Sequence, residues 1–325
     1  MSKLGVHIVI GPRTGFGDFL RRCAQAGQPV PLVKAVDDSG ALAEAKGYSD
    51  RTVTIFRARS VGDTPPGNFE GNPYQAAEAW MGALMPIWRQ NPADFYEILN
   101  EPDPSDMTGY IWLNLFTEAC LQIAEANGFR LALYSFAAGT PEIDEFARLA
   151  PSLKRARKGG HILSLHEYGI PGALRAAYPA ITTRYRQFYA HVMIPMECAI
   201  PVAITEAAPN GGHNWGGRQF FLNDVAWYDT ELVRDPYVLG AALFTLGDWA
   251  EANYQGALSA LADWIIQHPT PEKPPSDRQY AVWSDNAQLH TVILNYARHL
   301  AAQMRAEVWS EDRRKEGAPV PHGRP

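Results

Sequence analysis

Apolar positions along the chain fall into short, nearly unbroken runs, each bounded by turn residues and followed by a longer stretch in which they recur with helical spacing. Eight such runs occur: LGVHIVIG from Leu4, PLVKAVDD from Pro31, TVTIFRAR from Thr52, FYEILNEP from Phe95, RLALYSFA from Arg130, HILSLHEYG from His161, PVAITEAAP from Pro201 and GAALFTLGDW from Gly240. Between them lie helix-like segments such as FGDFLRRCAQAG and NPYQAAEAWMGALMPIWRQ. In the second, Ala77, Trp80, Met81, Leu84 and Ile87 share a face, and the segment GYIWLNLFTEACLQIAEANG closes on Asn127-Gly128, a helix stop. Strand and helix in alternation imply a parallel sheet, and strands without polar alternation imply burial on both faces.

Eight strand–helix units by about Gln267 predict an α/β fold, a single (β/α)8 TIM barrel, which typically takes about 250 residues. The expected boundaries are 1–268 for the barrel, 269–310 for a proline-rich connector and short C-terminal helical extension, and 311–325 for a polar, disordered tail. In the extension, Leu289, Ile293, Tyr296, Leu300 and Met304 form a helical stripe that suits packing or docking. An open doubly wound sheet is the competing architecture. It calls for a GxGxxG turn after the first strand, and Gly11, Gly15 and Gly17 do not keep that spacing.

Composition adds exclusions. The net charge of −6 is spread along the chain, which argues against a nucleic-acid partner. Cys23, Cys120 and Cys198 are odd in number and widely separated, so buried free thiols are expected rather than disulfides. Neither a metal nor another cofactor is expected, since HExxH, CxxC and phosphate-loop patterns are all missing. Asp103 and Asp106 read as turn formers. The opening run is too short for a signal-peptide core and no membrane-length apolar run follows. The expectation is a cytoplasmic protein, or a secreted one if a leader precedes this chain, with no membrane partner.

Reacting groups in such barrels stand where strands end, at the C-terminal rim. Glu101 stands at the end of the fourth predicted strand and Glu206 at the end of the seventh. Two carboxylates converging on one mouth are what glycoside hydrolysis requires, one to protonate the leaving oxygen and one to face the anomeric carbon.

EILNEPDP followed about a hundred residues later by AITEAAP resembles the clan A glycoside hydrolases, retaining (β/α)8 enzymes, over roughly Leu4 to Gln267. The resemblance implies that Glu101 is the acid/base, that Glu206 is the nucleophile and that Asn100 bonds a sugar 2-hydroxyl. It also implies that Glu97 is buried low in the barrel, that His166 and Tyr168 approach the nucleophile from strand 6, and that Trp249 floors the pocket. The substrate is then a polysaccharide or oligosaccharide, with an inactive carbohydrate-binding barrel as the alternative. An aldolase would need a Schiff-base lysine, for which Lys34 is the one strand candidate. Trp215, in a glycine-rich loop, is a second candidate platform. Lys34, Arg57 and Arg59 are candidates for keeping the nucleophile ionised, the resemblance calling for an arginine where Lys34 stands. Arg57 is counted with the substrate-binding set. Glu167 is expected in a salt bridge at the rim.

Overall fold

The computed structural model describes residues 1–65, 67–268, 279–282 and 307–310. Its first compact unit, Met1–Thr270, is built on eight strands: β1 (Leu4–Val9), β2 (Leu32–Val36), β3 (Val53–Arg57), β4 (Phe95–Glu97), β5 (Leu131–Phe136), β6 (Ile162–Tyr168), β7 (Val202–Ala208) and β8 (Val238–Leu246). They pair in chain order, all parallel, and β8 closes on β1 through Leu4↔Ala241 and Val6↔Leu243. This is the (β/α)8 barrel that the alternation predicts.

Helices α1 (Phe16–Gln25), α2 (Ser39–Tyr48), α3 (Pro73–Gln90), α4 (Met107–Ala126), α5 (Ile143–Ala147), α6 (Ala150–Gly159), α7 (Tyr185–Phe188), α8 (Arg218–Leu232) and α9 (Leu258–Gln267) lie between and after the strands. Their starts follow from local chemistry. Asp38 caps α2 by accepting from the Ala41 N–H, Asn72 caps α3 ahead of Pro73, and Asp106 caps α4 by accepting from the Gly109 N–H. On α3 the buried face is Ala77, Trp80, Met81, Leu84 and Trp88, with Ile87 only half-buried. A four-residue step from Leu84 suits the 3.6-residue period better than the three-residue step to Ile87.

The barrel floor is a layer of inward apolar side chains, Leu32, Ile55, Phe95, Ala132, Ile162, Ala203 and Ala242, one each from β2 to β8. Above it the inward positions turn polar and carry Lys34, Glu97, Ser164 and Thr205, all fully buried. A polar layer on an apolar floor is where the sequence departs from pure core-building. Cys23, Cys120 and Cys198 are free, buried thiols.

The second unit, Pro271–Pro325, contributes two described strands, β9 (Gln279–Val282) and β10 (Glu307–Ser310), paired in parallel with Gln279 opposite Glu307. The predicted extension helix ends in strand here. Glu307, Val308 and Trp309 are extended, as suits a β-branched and an aromatic residue in succession. The rest of that helix, most of the connector and the 311–325 tail lie outside the described residues. No helix among the described residues is long and apolar enough to cross a membrane.

Candidate active site

The polar layer leads up to an open cavity of about 320 Å3 at the C-terminal ends of the strands. His7, Arg57, Arg59, Asp63, Asn100, Glu101, Tyr168, Glu206, His213, Phe244 and Trp249 are among the groups lining it.

Glu206 reaches this cavity through an irregularity in β7. The β6–β7 ladder pairs Leu165 with Ile204 and then His166 with Glu206, passing over Thr205. The extra residue lets neighbours serve two levels of the interior. The Thr205 hydroxyl lies 2.6 Å from Ser164 Oγ in the lower layer, while Glu206 faces the cavity beside His166. Regular alternation would have sent one of the two outward.

Glu206 is held on both oxygens. Lys34 Nζ donates to Oε1 at 2.9 Å and the Tyr168 hydroxyl donates to Oε2 at 2.6 Å. Lys34 is wholly buried and lies equally close, 2.9 Å, to Glu97 Oε2. Glu97 also accepts from Ser164 Oγ at 2.8 Å. Burial opposes the charge on Glu97, yet the Lys34 ammonium carries its carboxyl down to about 2. Burial likewise opposes ionisation of Glu206, and the His166 and Lys34 groups around it hold it well below the usual carboxylate range. The Tyr168 phenol is pushed up by burial and by the Glu206 charge, so it remains a donor.

Glu101 enters from the opposite side. β4 leaves the ladder at Glu97, and the next residues run on to Glu101, whose φ of 48° is left-handed. That conformation is costly for a residue with a Cβ. It is held by its N–H donating to Ser135 O at 2.9 Å, while the Asn100 N–H donates to Asp63 O at 2.9 Å. The Glu101 side chain is 40% exposed, and its Oε1 lies 2.9 Å from His166 Nδ1. One oxygen from each glutamate and a His166 nitrogen all lie within 4.8 Å of one another. The same three atoms could be read as a metal cage. Lys34 and Tyr168, however, already donate a hydrogen bond to each oxygen of Glu206.

The other expected residues divide. Asn100 lines the cavity, and its Oδ1 is buried without a hydrogen-bond partner. Trp249 stands at the rim, 48% exposed, edge-on to Phe244 at 5.3 Å, and borders a side cavity of about 110 Å3 with Ile10, Asp37, Arg59 and Asp248. Arg57 lines the cavity but is ion-paired with Asp63; of the three basic candidates it is Lys34 that contacts Glu206.

Two expectations are corrected. Trp215 packs edge-on against Phe221, and Gly211, Gly212 and His213 cover the cavity in its place. Gly212 is required there, because a Cβ would come within 2.6 Å of the Tyr168 ring. Glu167 makes no rim salt bridge. It points outward from β6 into the layer beneath α8, is 2% exposed, and accepts from the Tyr228 hydroxyl at 2.5 Å. Burial raises its carboxyl to about 7.

Sequence reasoning passed over His7 and Phe244. The signal for His7 was present: it is the one ionisable residue in the otherwise apolar run LGVHIVIG.

No protein-family model matches the chain, and no curated protein matches it. Solved structures similar to it include a β-mannanase from Thermomonospora fusca, 14% identical, with 78% of this chain and 82% of that one covered at a TM-score of 0.44. Another is the catalytic domain of a mannanase from Streptomyces sp. SirexAA-E, 15% identical, covering 84% and 88% at 0.46. A glycoside hydrolase family 5 enzyme from Prevotella bryantii B14, in complex with a xyloglucan tetradecasaccharide, is 12% identical, covering 82% and 96% at 0.46. At these identities nothing about the reaction follows from them, and the functional reading rests on the geometry of the site.

Proposed function

We propose that the chain is a retaining β-glycoside hydrolase acting on an oligosaccharide or polysaccharide. The observation that carries this reading is that Glu101 and Glu206 converge on one open cavity, with one carboxylate oxygen of each lying within 4.8 Å of the other. Such close approach favours double displacement, for which carboxyl groups stand about 5–5.5 Å apart, over inversion, which needs roughly 6.5–9.5 Å to admit a water between them.

The two acids differ in the way such a reaction needs. Glu206 is buried, ionised by its surroundings and oriented by Lys34 and Tyr168, which are properties of a nucleophile. Glu101 is more exposed and bonded to His166, a position from which it can deliver a proton to a departing oxygen and later take one from water. Tyr168 and Lys34 keep the attacking carboxylate from rotating, so its alignment is set before the substrate arrives. The unpartnered Asn100 Oδ1 awaits a hydroxyl beside the reacting carbon. Trp249 offers an exposed indole face for the C–H face of a sugar ring. Lys34 does not suit Schiff-base chemistry, because its Nζ is buried and held between two carboxylates at 2.9 Å, with no approach for a carbonyl substrate.

The test is turnover of a panel of 4-nitrophenyl β-glycosides by the wild type and by Glu206→Gln. The expected result is hydrolysis of at least one glycoside by the wild type and none by the variant, with sugar binding retained. A wild type that binds sugars but cleaves none of them would favour a binding barrel instead.

A further inference from the structure

His7 lies outside the set of groups that double displacement employs, yet it lines the same cavity. Its ring is 1% exposed, and Nδ1 lies 2.7 Å from Thr245 Oγ1. The other nitrogen, Nε2, is buried without a hydrogen-bond partner, 3.6 Å from Glu206 Oε1. The Phe244 ring, at 4.8 Å, packs against the imidazole and fixes its plane. We infer that His7 binds a ring hydroxyl of the sugar that remains on the enzyme, and thereby helps to set which sugar the pocket accepts. This inference rests on the glycosidase reading above.

The geometry favours a hydroxyl over other groups. Thr245 Oγ1 reaches Leu246 O at 3.1 Å. If its proton goes there, Nδ1 carries the imidazole hydrogen and Nε2 presents a lone pair; in the other tautomer Nε2 presents an N–H. A hydroxyl lying between His7 and the ionised Glu206 donates its one proton to the carboxylate and accepts from Nε2–H, the form in which Nδ1 accepts from the Thr245 hydroxyl; an ether oxygen could not make both contacts. An oxygen about 2.8 Å from both Nε2 and Glu206 Oε1 closes a triangle on the 3.6 Å side. Such an oxygen sits beside the nucleophile, hence on the ring being attacked. Glu101, on the β4 side, marks where the leaving group departs, and His7 comes from β1, on the other side of the barrel. Burial keeps the imidazole neutral, lowering it to about 4, so the contact is an uncharged hydrogen bond across the working range of a glycosidase.

The experiment uses whichever of the 4-nitrophenyl β-glucoside, mannoside, galactoside and xyloside the wild type cleaves, together with the monodeoxy derivatives of that sugar. His7→Phe removes the nitrogen and keeps the ring packed on Phe244. His7→Gln places an amide near Nε2, and thermal unfolding of both variants is followed alongside. For one deoxy position, the wild type should lose roughly ten- to hundredfold in kcat/KM relative to the parent sugar, the usual effect of one neutral hydrogen bond to a buried group. His7→Phe should lose a similar factor on the parent and little more on that deoxy sugar, with His7→Gln recovering part of it. The inference is overturned if folded His7→Phe cleaves the parent as fast as wild type, or discriminates against every deoxy sugar as wild type does. In either case the glycosidase reading survives. If the wild type cleaves none of the glycosides, both fall together.

Discussion

Replacing Lys34 with Met tests the charge balance beneath the cavity. Met follows the lysine stem as far as Cε and removes the ammonium, with sulfur in place of the Cδ methylene. The wild-type cation sits 2.9 Å from a carboxylate on either side, wholly out of solvent. At an effective dielectric constant of 20, each contact represents about 6 kcal/mol of attraction before the cost of burying the charges. The net effect is smaller but still large, because Lys34→Met leaves Glu97 and Glu206 facing one another as uncompensated buried anions. Breaking a buried pair from one side costs ~3–5 kcal/mol. For a domain of this size that is a fall in Tm of roughly 6–20 °C. The variant also removes the Lys34 ammonium that helps to hold Glu206 low, so Glu206 takes up its proton at higher pH and the acid limb of kcat/KM moves upward. Calorimetry supplies the first quantity and a pH series on an activated aryl glycoside the second. Adding Glu97→Gln removes one anion as well, and the double variant should regain part of the lost stability. A drop in Tm below about 2 °C, or a double variant as unstable as the sum of the singles, would refute the reasoning.

Three further outcomes follow from the same geometry. Glu101→Gln should lower kcat by ~100- to 10,000-fold on a glycoside with a poor alkyl leaving group and far less on a 4-nitrophenyl glycoside, whose leaving group needs no proton; equal losses on both would remove Glu101 from the acid role. Trp249→Ala should raise KM several-fold with little change in kcat or Tm, since the indole is an exposed platform rather than core; an unchanged KM would argue against the stacking role. Glu167 is raised from an ordinary 4.5 to about 7, so the fold favours its protonated form. Its contribution, about 3 kcal/mol, is complete below pH 4.5 and is lost as pH rises through 7. Glu167→Gln should therefore flatten the fall in Tm between those values, and an unchanged slope would place that titration elsewhere.

The sequence carried the barrel because each strand is a run of apolar residues with no polar alternation, and burial on both faces leaves few other architectures. It carried Glu101 and Glu206 because a carboxylate ending such a run has no reason to be there in a core. What stayed hidden depends on departures from regular backbone. The irregularity in β7 turns Thr205 and Glu206 toward the same interior, and no alternation rule foresees it. Glu101 is presented by a left-handed residue beyond the end of a three-residue strand, not by the strand itself. Trp215 was misplaced because a glycine-rich loop fixes no direction; the close fit of Gly212 over Tyr168 decides which part of the loop covers the cavity. Alternation along β6 sets Glu167 on the side opposite His166 and Tyr168; what stayed hidden is that this outward side is also buried, so that Glu167 meets the Tyr228 hydroxyl of α8 rather than a rim cation.

Nucleophilic attack by Glu206 is tested by incubating the protein with 2-deoxy-2-fluoro glycosides bearing a good leaving group and locating the trapped sugar by peptide mass spectrometry. One sugar per chain is expected, attached at Glu206 and lost in Glu206→Gln. Attachment at any other carboxylate, or hydrolysis of the parent glycoside with inversion at the anomeric carbon, would contradict it.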